Sequence, residues 1–172
     1  RATEIANTPD PELYRYGVHG HDFTAYFTVG PGTYHARIKL AETRDIDLRK
    51  RLLTVELNGK PAVDGLDIAA TAGGLNKAVD LVFNDVQPMN GVVSIRFRNR
   101  HAGEAVVQAI EVGPGAGGAG AKPVVVDLPW EPELINAGFE DGVAGATGSN
   151  GSTAGGLGWT YVFHGKQRSY VW

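Results

Sequence analysis

Cysteine is absent from the 172 residues, which removes three function classes at once. A disulfide scaffold, a thiolate zinc site and a cysteine nucleophile are all excluded. Charge of one sign is scarce too: 16 Lys or Arg face 19 Asp or Glu, a net of −3, with no polybasic or polyacidic tail. Nucleic-acid binding by counterion release needs a basic face, so nucleic acid is not an expected partner. No apolar run nears the roughly 20 residues that span a bilayer, and membrane insertion is not expected either. Ser94, Ser149, Ser152 and Ser169 sit in no nucleophile-elbow setting. Gly73-Gly74 lacks the following Lys-Ser or Lys-Thr of a phosphate loop and is read as a turn.

Glycine and alternation are what the chain has in abundance. Its 24 glycines are well above a typical share of roughly 7%, and they cluster. Residues 1–22 are polar and irregular, with Pro9 and Pro11; from Phe23 the pattern becomes periodic at two. Tyr34, Ala36, Ile38 and Leu40 alternate with His35, Arg37 and Lys39, the pattern of a strand buried on one face. Leu53, Val55 and Leu57 repeat it over 51–57, and Asn58-Gly59 then supplies a tight hairpin turn. The return strand is expected from Pro61 towards Ile68, and further strands over 77–83, 91–98 and 105–112. Short alternating strands between turns, with no convincing amphipathic helix, predict an all-β antiparallel sandwich.

Composition then changes. Residues 113–121 hold five glycines in nine positions, a makeup expected to behave as a flexible tether. Val124 to Val126 look like a short strand, and the chain closes on Trp159, Tyr161, Phe163, Tyr170 and Trp172. The expected organisation is therefore a sandwich over 1–112, a glycine-rich linker over 113–123, and the N-terminal part of a second β-sandwich over 124–172. The start at Arg1 is read as a processed chain or an internal fragment.

Several segments in order resemble the malectin family. They are Leu13-Tyr14 with Phe23-Thr24-Ala25-Tyr26, then Pro31-Gly32-Thr33-Tyr34 with Leu40-Ala41-Glu42. Leu57-Asn58-Gly59 with Leu66-Asp67-Ile68 follows, then Ile95-Arg96-Phe97 and Ala109-Ile110-Glu111-Val112. The resemblance implies a jelly-roll-like β-sandwich that binds carbohydrate, here without the glycine-rich sequence that usually opens the family's domain. From Leu134-Ile135-Asn136 through Gly158-Trp159, the chain resembles the start of a second carbohydrate-binding sandwich of the kind appended to secreted bacterial glycoside hydrolases.

Sugar rings present an apolar C–H face and a rim of hydroxyls, so a site for them joins an aromatic platform to fixed hydrogen-bonding groups. Tyr14, Tyr16 and His19 offer this mixture before the Phe23 strand. By the resemblance, the sugar lies across loops at one end of the sandwich. That adds Arg44 and Asp45 after Ala-Glu, and His101 and Glu104 in the last loop. The sequence departs from the animal malectin pattern here, which has aromatic residues where this chain has Arg44 and Asp45. More charge and fewer aromatics suit an acidic or branched glycan. Set against this, tyrosines such as Tyr14 and Tyr16 are more often edge-packing residues than sugar platforms, and Arg44 to Arg51 reads most simply as a solvated loop of mixed charge.

His19 and His21 share one side of an extended segment, but no third ligand stands at a recognisable spacing, so no catalytic metal is expected. A structural calcium ion near Glu140 and Asp141 is compatible with the sequence without being demanded by it. Glycoside hydrolysis needs two carboxylates across a sugar ring. Glu42, Asp45, Asp47 and Glu104 could supply a pair, yet nothing in their spacing selects one. The expectation is thus a non-catalytic polysaccharide- or glycan-binding module, without cofactor, of a secreted or cell-surface multidomain protein, a bacterial glycoside hydrolase being the first choice. Other domains or chains of the same protein are further expected partners. The rival is a structural sandwich of a surface appendage or large complex, whose loops touch protein.

Overall fold

The computed structural model describes residues 4–46, 51–101 and 103–127, with the backbone of 159–163 and 166–170. It divides into two compact units, Arg1–Glu131 and Pro132–Trp172. The first contains α1 (Glu12–Arg15), β1 (Val18–Gly20), β2 (Asp22–Thr28), β3 (Tyr34–Ala41), β4 (Leu53–Leu57) and β5 (Lys60–Leu66). It continues through α2 (Ile68–Ala72), β6 (Ala78–Val86), β7 (Val92–Asn99), β8 (Ala105–Val107) and β9 (Ala109–Pro114). The described part of the second unit is an antiparallel hairpin, β10 (Trp159–Phe163) with β11 (Lys166–Tyr170), in register Trp159 to Tyr170.

Two antiparallel sheets form the first unit, one ordered β2-β7-β4-β5 and the other β6-β3-β9, with β1 and β8 as a short pair. The period-two pattern explains why they stack. Ile38 and Leu40 from one sheet, and Leu53, Val55, Ile95 and Phe97 from the other, are inaccessible to solvent. Each such side chain contributes about 1.5–3 kcal/mol on burial. Phe23 stacks on Phe97 with ring centres 5.2 Å apart. Alternating residues from Phe23 to Val112 therefore make an all-β sandwich, as the sequence predicts. Among the described residues, no helix is long and apolar enough to cross a membrane.

Four local expectations are corrected. The segment before Phe23 is not wholly irregular, since it holds α1 and β1. The return strand stops at Leu66, because the Asp67 carboxylate accepts the Ala70 N–H at 2.9 Å and caps α2. Gly73 closes that helix at φ 79°, a conformation glycine adopts without steric cost. The strand expected over 105–112 is two strands meeting at Gln108. Its side-chain amide donates to the Ala41 carbonyl at 2.8 Å and accepts the Ala41 N–H at 2.9 Å, so the chain leaves β1 and joins β3 at a pinned point.

The fourth correction concerns the glycine-rich stretch, which is bonded to the sandwich rather than hanging free as a tether. The Arg37 guanidinium donates to the Gly117 carbonyl at 2.6 Å, the Gly117 N–H to Asn84 Oδ1 at 2.8 Å, and the Ala121 N–H to the Asp80 carbonyl at 2.8 Å. Further on, Val126 donates to Gly65 at 2.8 Å and Val125 bridges Leu66. The strap crosses the outward face of the β6-β3-β9 sheet and ends at the edge of β5. Glycine is needed for close approach. A Cβ on Gly117 would lie 2.5 Å from the His35 ring, and one on Gly120 would lie 2.4 Å from the Val82 nitrogen.

Candidate functional site

One end of the sandwich is built where β3 finishes, β4 begins and the chain turns from β7 into β8. Glu42 follows β3 directly and is buried. Both its oxygens accept from Arg51 Nη1, at 2.9 and 2.6 Å, and each side chain is only 6% exposed. Arg51 Nε then donates to the Glu104 carbonyl at 2.8 Å. One buried guanidinium thereby ties the end of β3 to the loop before β8. Glu42 Oε1 also accepts the Arg44 N–H at 3.1 Å, and its carbonyl accepts from Asn76 at 2.8 Å.

Over this buried bridge stands a half-exposed polar cluster. The Glu104 carboxylate lies 3.8 Å from Arg44 Nη1 and 3.9 Å from His19 Nδ1. Those separations exceed hydrogen-bond reach, so with respect to one another, among the described residues, the carboxylate and guanidinium keep bonding capacity to spare. His19 Nδ1 is itself buried, with no hydrogen-bond partner among the described residues. Burial lowers the His19 pKa first, Arg44 and Arg51 lower it further, and Glu104 and Glu42 offset part of the effect. The imidazole is therefore mainly neutral at pH 7, and its approach to Glu104 is not an ion pair there.

The seven candidates are thus distributed unevenly. His19, Arg44 and Glu104 come together. Asp45 is exposed beside Arg44, and His101 is half-buried in the same loop as Glu104. Tyr16 is 78% exposed just before β1; strand alternation puts it on the side of Val18, itself 59% exposed, and away from His19. Tyr14 is elsewhere. It is 3% exposed, its hydroxyl bonds the Asp80 carboxylate, and Lys39 Nζ donates to that hydroxyl at 3.3 Å. Burial first, then Asp80, pushes its pKa up. Its ring is a packing group on the outward face of the three-stranded sheet, not a platform at the loops.

Two residues the sequence reading did not single out as a pair hold the cluster in place: Glu42 and Arg51. The signal for Arg51 was present. It is in phase with Leu53, Val55 and Leu57, and so belongs on the inward side, where a guanidinium must find a carboxylate. Locked against Arg51, Glu42 has no access to a substrate and cannot be half of a hydrolytic pair.

The cleft beside the bridge is small, about 100 Å³, lined by Glu42, Ile46, Arg51, Asp67, Ile68 and Leu75 among others. Enclosing sites for small molecules run to roughly 300–1,000 Å³, so this cleft is too small to enclose one. A larger groove, about 540 Å³, lies over Tyr14, Lys39 and Asp80, away from the cluster. Among the described residues, no three His, Asp or Glu side chains gather to hold a metal ion. Glu140 and Asp141 lie outside the described residues.

Comparison with known proteins bears on this geometry. A malectin domain profile matches residues 1–115. No curated protein matches the sequence. Among solved structures, a β-glucuronidase from Bacteroides uniformis superposes with a TM-score of 0.55 at 18% identity, over 63% of this chain and 12% of the enzyme. A calcium-binding mutant of β-glucuronidase 2 from the same organism superposes at 0.56 and 19% identity, over 64% and 12%. The ANXUR1 extracellular domain from Arabidopsis thaliana gives 0.56 at 12% identity, over 64% and 35%. The chain thus spans a small part of each, and at these identities the likeness is one of fold. With a matching two-sheet body and a profile that covers the whole sandwich, the chain belongs to the malectin domain family.

Proposed function

We propose that this chain is a non-catalytic glycan-binding module whose site is the loop end formed by His19, Arg44, Asp45, His101 and Glu104. The observation that carries the reading is the His19–Arg44–Glu104 cluster, raised into solvent on the buried Glu42–Arg51 bridge. A guanidinium donates in a fixed fork and a carboxylate accepts. Side by side, they match a vicinal pair of sugar hydroxyls. The module would serve a secreted, multidomain polysaccharide-active protein of bacterial origin, raising its local concentration on substrate. The likeness to one part of a bacterial glycosidase supports that context.

Calorimetric titration of the whole chain against plant, algal and microbial polysaccharides tests the proposal. Binding is expected to be weak, as at other shallow, wet sites. Arg44→Ala combined with Glu104→Gln should reduce it about tenfold or more, since hydrogen bonds to charged groups contribute about 1.5–3 kcal/mol each. Equal binding by that double variant would overturn the assignment of the site.

A second reading has the loops contact protein, as a spacer or assembly sandwich. It is favoured by a structural neighbour, the crystal structure of plant peptide RALF23 in complex with FER and LLG2, which superposes with a TM-score of 0.54 at 14% identity over 65% of this chain and 36% of that one. Loss of all polysaccharide binding, together with self-association in sedimentation, would select it.

A further inference from the structure

The outward face of the four-stranded sheet carries a second set of groups matched to sugar, and it owes nothing to the loops. Alternation along β2 turns Phe23, Ala25 and Phe27 towards the core and Thr24, Tyr26 and Thr28 outward. Tyr26 is 72% exposed. It stands directly opposite Ser94 on β7, and Thr24 stands opposite Arg96. The Tyr26 ring and the Arg96 guanidinium are therefore diagonal neighbours on one face, with backbones about 7–8 Å apart. A large exposed aromatic on an edge strand is a liability unless something covers it.

The charges around it are self-compensating. Arg96 Nε donates to Asp22 Oδ1 at 2.7 Å and its Nη1 reaches Glu56 at 3.4 Å, while Arg98 Nη2 donates to Glu56 at 2.7 Å. Two carboxylates and two guanidiniums form a ladder across β2, β7 and β4, with no net charge. Two consequences follow. The ladder itself adds no net charge to attract a polyanion or polycation. Its donors and acceptors are already held in orientation, so little side-chain freedom is lost when they meet a ligand. Arg96 and Asp22 remain 42% and 44% exposed, with edges open to solvent. Thr24 and Ser94 add hydroxyls between them. An aromatic ring beside a rigid, neutral row of donors and acceptors fits a polyol chain.

We propose that the outward face of β2, β7 and β4 is a second binding surface, taking a stretch of neutral polysaccharide laid flat across the strands, with one sugar ring on Tyr26 and its hydroxyls on Arg96 and Asp22. This surface goes beyond the loop-end site and does not rest on it.

Affinity gel electrophoresis of the whole chain, in gels containing hydroxyethyl cellulose, β-1,3-glucan or galactomannan, with polygalacturonate as the charged control, tests the proposal. Retardation by at least one neutral polymer is expected, and not preferentially by polygalacturonate. Tyr26→Ala should weaken it about tenfold, while Tyr26→Trp keeps it and the Arg44→Ala, Glu104→Gln double variant also keeps it. At so exposed a position Tyr26→Ala should leave the urea midpoint nearly unchanged. Three results would overturn the proposal: no neutral polymer retards the chain, Tyr26→Ala migrates like the parent, or sedimentation finds a dimer that Tyr26→Ala dissolves. Retardation abolished by the loop variant alone would sink this surface and leave the loop-end reading standing; retention of retardation by that variant with loss in Tyr26→Ala supports this surface and leaves the loop end to its own test with acidic and branched glycans.

Discussion

Replacing Arg51 by alanine should be the most damaging polar substitution in the sandwich. Both partners of the Glu42–Arg51 pair are 6% exposed, and Arg51 makes three hydrogen bonds: two to Glu42, at 2.9 and 2.6 Å, and one to the Glu104 carbonyl, at 2.8 Å. Removing one member leaves a buried carboxylate without its countercharge, a change that costs about 3–5 kcal/mol. Against a typical domain stability of about 5–15 kcal/mol, that is a large share. With a urea slope of about 2 kcal/mol/M, the midpoint should fall by about 1.5–2.5 M. Replacing both residues together, Glu42→Gln with Arg51→Met, keeps volume and removes both charges, so it should cost much less than Arg51→Ala. Urea unfolding followed by far-UV circular dichroism reads both. A cost below about 1 kcal/mol for Arg51→Ala, or a double variant less stable than the single, would refute the claim that a buried ion pair ties β3 to the last loop.

The His19 pKa is lowered in the folded state, chiefly by burial, so the unfolded chain takes up a proton first as pH falls. Stability should therefore decline from the ordinary histidine range, about 6.5, down to the folded pKa, and His19→Gln should flatten that part of the pH–stability curve; a variant with the parent's slope would contradict the burial argument. Gly120→Ala places a methyl carbon where only 2.4 Å separates it from the Val82 nitrogen. It should lift the strap, cost about 1–3 kcal/mol, and open residues 113–127 to limited proteolysis; unchanged protease resistance would show that the strap does not depend on close backbone contact.

The sandwich was legible because a period of two is a direct consequence of burying one face of a strand. Tyr34 to Leu40 and Leu53 to Leu57 needed no tertiary knowledge. What escaped was set by side chains acting at a distance in sequence. Asp67 ends β5 by capping α2, and Gln108 divides one expected strand by bonding Ala41, 67 positions away. Glycines 113–120 read as slack because composition cannot distinguish a free tether from a strap that must pass close to His35 and Val82. At the loop end, His19, Arg44 and Glu104 were named from sequence and do converge. Tyr14 was named with them because its neighbours along the chain are polar. Its actual environment, Asp80 and Lys39, comes from strands 25 and 66 positions away.

Backbone amide shifts of the ¹⁵N-labelled whole chain, followed while an acidic or branched glycan that binds it is added, probe the loop end most directly. The largest changes are expected on Val18 to Gly20, Thr43 to Asp45, and His101 with Glu104, and the Arg44→Ala, Glu104→Gln variant should lose them. Changes confined to other parts of the sandwich, with those loops silent at saturation, would contradict it.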